Sequence, residues 1–149
     1  MNVGDRQAGV GMLEVLVALF VFSIGLLGAT ALSIQAYRLE NRALVRARIG
    51  MLAADLAGRI RSNVAGLSAY GGLPAEHGCS SDVAPARICT SEELAADDLW
   101  YFHNTLRSIA PTATVSLSFD QTLMPPTASL SVEWRDGDAG QRYQMAFTP

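Results

Sequence analysis

Twenty-three consecutive residues, Val15 to Tyr37, carry no charged side chain, and a single carboxylate, Glu14, stands at their front edge. About 20 apolar residues span the hydrocarbon core of a bilayer as a helix, so this run is long enough to cross a membrane. Glu14 is the anomaly. A carboxylate at the membrane end of a helix costs about 2.5–3.5 kcal/mol on insertion scales, and more when it sits deep and unpaired. With no partner in its own sequence, the charge points to one supplied by another chain.

At 149 residues the chain fits one small domain plus an anchor rather than two globular domains. Its net charge of −3 hides an asymmetry. Residues 1–65 hold seven Arg against Asp5, Glu14, Glu40 and Asp55, a balance of +3, whereas residues 66–149 hold four Arg against ten acids, a balance of −6. The acidic distal part lacks the clustered positive charge that non-specific nucleic-acid binding needs. No nucleic-acid partner is expected. The two cysteines, Cys79 and Cys89, both lie in this part. Outside the cytoplasm such a pair reads most simply as one disulfide, worth about 3 kcal/mol in the chain-entropy model. Free thiols or a metal site recruiting His77 and His103 remain open, although the spacing matches no recognised zinc pattern.

A polar leader, Met1 to Gly9, precedes the apolar run. The run exceeds the 7–15 apolar residues of a cleavable secretory signal, and no small-x-small site follows it, so it is expected to remain in the mature protein. Orientation signals conflict. Arg38, Arg42, Arg46 and Arg48 against a lone Arg6 would place the distal side in the cytoplasm by the positive-inside rule, while the cysteine pair argues for the opposite side.

Helical pattern continues beyond Tyr37. No proline occurs before Pro74, and Val45, Ile49, Leu52, Leu56, Ile60 and Val64 recur on one helical face. The spacing predicts one helix from near Val10 to about Val64, apolar all round in its first half and one-sided in its second. Gly25, Gly28 and Gly50 each lower its propensity by about 1 kcal/mol. Gly66 to Pro85 reads as a loop. Thr90-Ser91-Glu92-Glu93 has capping-box spacing ahead of a second amphipathic helix through Ala95, Leu99, Phe102, Leu106 and Ile109, stopped by Pro111. The period then drops to two in Val115/Leu117/Phe119, Leu130/Val132/Trp134 and Tyr143/Met145/Phe147, with turn residues at 136–140 between the last two. Short consecutive strands imply an antiparallel meander, one face of which covers the stripe from Val45 to Val64. The fold class expected is α+β: a long N-terminal helix packed on a small antiparallel β-sheet. Trp100 and Trp134 are expected in its core.

Residues Gly9 to Ile34, GVGMLEVLVALFVFSIGLLGATALSI, resemble the type IV prepilin signature: a leader ending in Gly, then a hydrophobic residue, then Glu as the fifth residue after the cleavage point. LEVLVAL followed by SIGLLG is similar, more narrowly, to the PilV-type minor pilins. The cysteine pair, the Ala95–Trp100 segment and the Val132-Glu133-Trp134 strand end share that likeness. The resemblance implies a pilin fold, with residues 1–9 as leader, 10–37 as the membrane and filament-core half of the helix, and 38–149 as a periplasmic globular domain. It implies that prepilin peptidase, a membrane aspartic protease, cuts after Gly9 and methylates the new terminus at Val10. Glu14 would pair with the Val10 amine of a neighbouring subunit, each charge relieving the other in a dry helix bundle. Partners implied are other minor pilins, the major pilin, prepilin peptidase and the inner membrane, which is exchanged for the pilus on assembly. Val10 replaces the usual Phe or Met, and Gly11 the usual hydroxyl residue. The proline that major pilins carry partway along this helix is absent, which favours a minor pilin or pseudopilin.

Other readings are a type II secretion pseudopilin, a filament-borne binding module, and a plain signal-anchored protein without an assembly role. No motif for nucleotides, metals or covalent catalysis appears, so no cofactor, catalytic residue or metal ligand is assigned and no enzyme is expected. His77 and His103 read as surface or hydrogen-bonded polar residues. The Arg38 to Arg61 series reads as a solvated or subunit-facing side of the helix.

Overall fold

The computed structural model describes residues 11–79, 88–120 and 122–149. The elements run α1 (Met12–Ser62), a 3₁₀ helix (Val64–Gly71), α2 (Ser91–Ile109), then β1 (Thr114–Asp120), β2 (Thr127–Asp136) and β3 (Ala139–Phe147). Two units, Met1–Asn41 and Arg42–Pro149, divide the chain within α1. A long N-terminal helix and a small antiparallel sheet make up the α+β architecture expected from the periodicities.

In the second unit α1 buries Ile49, Leu52, Ala53, Leu56, Ala57 and Ile60. Two buried alanines, Ala53 and Ala57, widen the expected stripe. Each fully buried Ile or Leu contributes about 1.5–3 kcal/mol through apolar surface removed from water. The far end of the stripe departs from expectation. Val64 is 61% exposed. The α-helix stops at Ser62, and Val64 opens the 3₁₀ helix, whose three-residue turn rotates it off the 3.6-residue stripe. That 3₁₀ helix also replaces the front of the expected loop at Gly66 to Pro85, and it carries Tyr70 into the core.

α2 begins where the capping box places it. The Thr90 hydroxyl accepts from the Glu93 amide, and the Glu93 carboxylate accepts from the Thr90 amide at 3.0 Å, satisfying two donors that a helix start leaves open. Its buried face holds Ala95, Leu99, Phe102 and Leu106, together with Asp97 and Asp98.

The sheet order is β1-β2-β3, antiparallel throughout. Register aligns Val115 with Val132 and Tyr143, Leu117 with Leu130 and Met145, and Phe119 with Ala128 and Phe147. These three rows form the inner face, with small Ala128 set between two phenylalanine positions. Central β2 is buried at every inward position, including Trp134, while inward residues of the edge strands are mostly half-buried. Trp100 sits half-buried on α2, outside the main core that holds Trp134. The outer face is hydrophilic, with Ser116, Ser131 and Gln144 in one row and Thr114, Glu133 and Arg142 in another. The hairpin joining β2 and β3 is tighter than the five-residue turn read from sequence. Asp136 pairs with Ala139 around Gly137-Asp138, and Gly137 takes a φ of +62° that a side chain would disfavour.

Candidate functional site

The first unit is an apolar rod. From Gly11 to Asn41 every residue is exposed, and the 18-residue window of highest hydropathy in α1, at 2.5, has none of its surface buried. In water this surface would be strongly unfavourable at about 25 cal/mol per Å². A bilayer or a bundle of like helices removes that cost. α1 is long and apolar enough to cross a membrane.

Its serine and threonine side chains are arranged for a dry setting. The Ser23 hydroxyl donates to the Leu19 carbonyl at 2.7 Å, Thr30 to the Leu26 and Leu27 carbonyls at 3.0 and 2.9 Å, and Ser33 to the Ala29 carbonyl at 3.0 Å. Each hydroxyl proton is spent inside the helix, as a medium without water demands. Glu14 differs. It lies in the first turn of α1, where a carboxylate is favoured by the helix dipole, yet no side-chain or backbone donor among the described residues reaches its carboxylate. Gly9 and Val10, the positions at which the resemblance places cleavage and methylation, lie outside the described residues.

Residues 4–30 match the family model for the prokaryotic N-terminal methylation motif. The chain carries a prepilin-type signal. This is the signal of type IV pilins and pseudopilins, and it implies processing by prepilin peptidase and assembly with pilin-type partners in general. With the apolar helix it describes a membrane-anchored, prepilin-like protein. No curated protein and no solved structure gives a significant match.

In the second unit the arginine series is less free than its sequence suggests. Arg42 donates to Asp136 at 2.7 Å, Arg61 to the Thr148 carbonyl at 2.9 Å, and Arg59 to Asp55 at 2.8 Å and to Asp98 at 3.0 Å. These contacts fix three of the arginines against their own globular unit, so the series is not an uninterrupted solvated side. Arg46 and Arg48 are exposed and make no ion pair among the described residues. Two ring contacts accompany the series, Arg59 over Tyr101 at 4.9 Å and Arg61 over Phe147 at 5.3 Å.

Asp97 and Asp98 were not singled out from sequence as site residues, and they organise the region around the cysteines. Both are almost fully buried. Asp98 Oδ1 accepts from Arg59, and Oδ2 accepts from the Tyr70 hydroxyl at 2.7 Å, so one carboxylate ties α2 to α1 and to the 3₁₀ helix. Burial pushes the Tyr70 phenol well above its ordinary range, and donation to Asp98 adds to this. Asp97 Oδ1 accepts from the His77 and Gly78 amides at 2.7 and 2.8 Å, anchoring the approach to Cys79. Cys79 and Cys89 are joined as a disulfide, with Cα atoms 5.9 Å apart. Among the described residues no three His, Cys, Asp or Glu side chains are grouped to hold a metal ion. His103, half-buried on α2, is held below its ordinary pKa of 6.5 by burial and by nearby Arg107.

Proposed function

We propose that this chain is a minor pilin of the PilV type, a structural, non-catalytic subunit that joins a minor-pilin complex starting or capping a type IV pilus. The observation that carries the reading is the contrast inside one helix. The Ser23, Thr30 and Ser33 hydroxyls along the apolar rod are satisfied internally, while the carboxylate at its start is not. A buried carboxylate without a counter-charge is costly, and a methylated Val10 amine from an adjacent protomer removes both penalties. The pairing therefore sets register more than it adds stability.

In this reading the precursor sits in the inner membrane with residues 38–149 on the periplasmic side. The oxidised Cys79–Cys89 pair supports that orientation, since such bonds persist in oxidising compartments. Prepilin peptidase removes residues 1–9 and methylates Val10, and Glu14 then docks on a neighbouring subunit as the helix leaves the bilayer. A type II secretion pseudopilin uses the same anchor, and the absence of proline in α1 is compatible with it.

The test is processing. Co-expression with prepilin peptidase should shorten the precursor by the nine leader residues, and Gly9→Val should abolish the shortening. A precursor of unchanged size in the presence of active peptidase contradicts the proposal.

A further inference from the structure

An open depression with a volume of about 650 Å³ lies at the hairpin end of the sheet, entirely within the second unit. That volume falls within the range of small-ligand sites, about 300–1,000 Å³. Its chemistry is uneven in a useful way. Arg142 and Glu133 face each other across β2 and β3 and form an ion pair of 2.7 Å. Arg135 stands two residues beyond Glu133, on the same side of the sheet, and its guanidinium has no ion pair or hydrogen bond among the described residues. The reason it stands open is its cross-strand partner, Gly140. A Cβ added at Gly140 would meet nothing within 4 Å, so the space beside Arg135 is vacant and not filled by a packed neighbour. The Arg135 amide donates to the Thr112 hydroxyl at 3.1 Å, which fixes one side of the depression. Thr114, opposite Glu133 on β1, supplies a second hydroxyl.

Two guanidiniums against one carboxylate leave this patch locally positive by one charge. It is set in the second unit, residues 42–149, where nine Arg stand against eleven acids, a balance of −2. One uncompensated cation in mildly acidic surroundings matches a small ligand with one negative group better than a long polyanion. The threonine hydroxyls and the carboxylate suit a ligand that also presents hydroxyls. We propose that this depression binds a monoanionic, hydroxyl-rich small ligand, an acidic sugar, with its carboxylate on Arg135. The site is independent of cleavage at Gly9 and of the pairing of Glu14.

Ligand-observed NMR on the full-length protein in detergent micelles tests the idea, with empty micelles as the blank. Galacturonate should show saturable binding and galactose binding at least about tenfold weaker, the loss of one charge-assisted contact. Arg135→Gln should weaken galacturonate by a similar factor. Gly140→Leu should block it while the circular dichroism spectrum stays that of the wild type, because the new side chain enters vacant space. Absence of saturable galacturonate binding, or binding undiminished in both variants, overturns the proposal. Galactose binding as tightly as galacturonate overturns the charge assignment. Inorganic phosphate or an acidic tetrapeptide competing as well as the sugar acid overturns the sugar as occupant.

Discussion

Asp97 and Asp98 show how much adjacent residues can diverge in role. One carboxylate gathers backbone amides from the cysteine approach, and the next gathers Arg59 and Tyr70. Asp98→Ala should destabilise the globular unit by about 2–3 kcal/mol, since it leaves a buried phenol without its acceptor and strips Arg59 of one of its two carboxylates; chemical denaturation measures this directly. The signal was present in the sequence, because position 98 falls on the same helical face as Ala95, Leu99 and Phe102. An acid on an apolar face is a buried, partnered acid more often than a misplaced one. What the sequence could not supply was the partner, Arg59, which lies 39 residues away. His103 makes a second prediction at this scale. Its pKa is depressed in the folded state, so the unfolded chain binds more protons as pH falls through 6.5. The His103 contribution is therefore fully present above neutrality and is lost on acidification toward the folded value. Denaturation midpoints at about pH 7.5 and about pH 5 should differ less in His103→Gln than in the wild type.

Among the elements, helices with caps and strict alternation were legible, and joints were not. Thr90 to Glu93 marks the start of α2, and three alternating triplets mark the strands, because both signals are local. The 3₁₀ helix is hidden in the sequence because its glycines, Gly66 and Gly71, look like turn residues. Gly66 is small for a packing reason. A Cβ there would overlap the Ser91 carbonyl oxygen and come within 2.9 Å of its carbon, where the 3₁₀ helix passes the start of α2. Gly66→Ala should cost about 1–3 kcal/mol by overpacking. Gly50 makes the contrast, because its added Cβ meets the Tyr143 ring at 3.4 Å, an ordinary contact with a flexible side chain. Gly50→Ala should be neutral or stabilise α1 by up to about 1 kcal/mol. Thermal unfolding of the two variants side by side tests both statements. The Cys79–Cys89 bond closes the region between the 3₁₀ helix and α2, and replacing both cysteines by serine should lower stability by about 2–4 kcal/mol.

At the scale of the whole molecule, the chain divides its tasks between two units with opposite surfaces. One exposes apolar side chains along its described length, and the other encloses a core between amphipathic helices and a sheet. The anchor was legible at once because charge-free length is a one-dimensional property. The depression beside Arg135 was not, since it depends on which residue the register places across from that arginine. The central claim is that the Glu14 carboxylate finds its counter-charge on a neighbouring protomer. The direct measurement is the amount of Glu14→Val protein in sheared filaments relative to wild type, in cells carrying the cognate pilus genes and prepilin peptidase. Glu14→Val protein is expected to be cut normally after Gly9 yet to be largely missing from the filaments. A processed variant incorporated as well as the wild type would contradict the pairing.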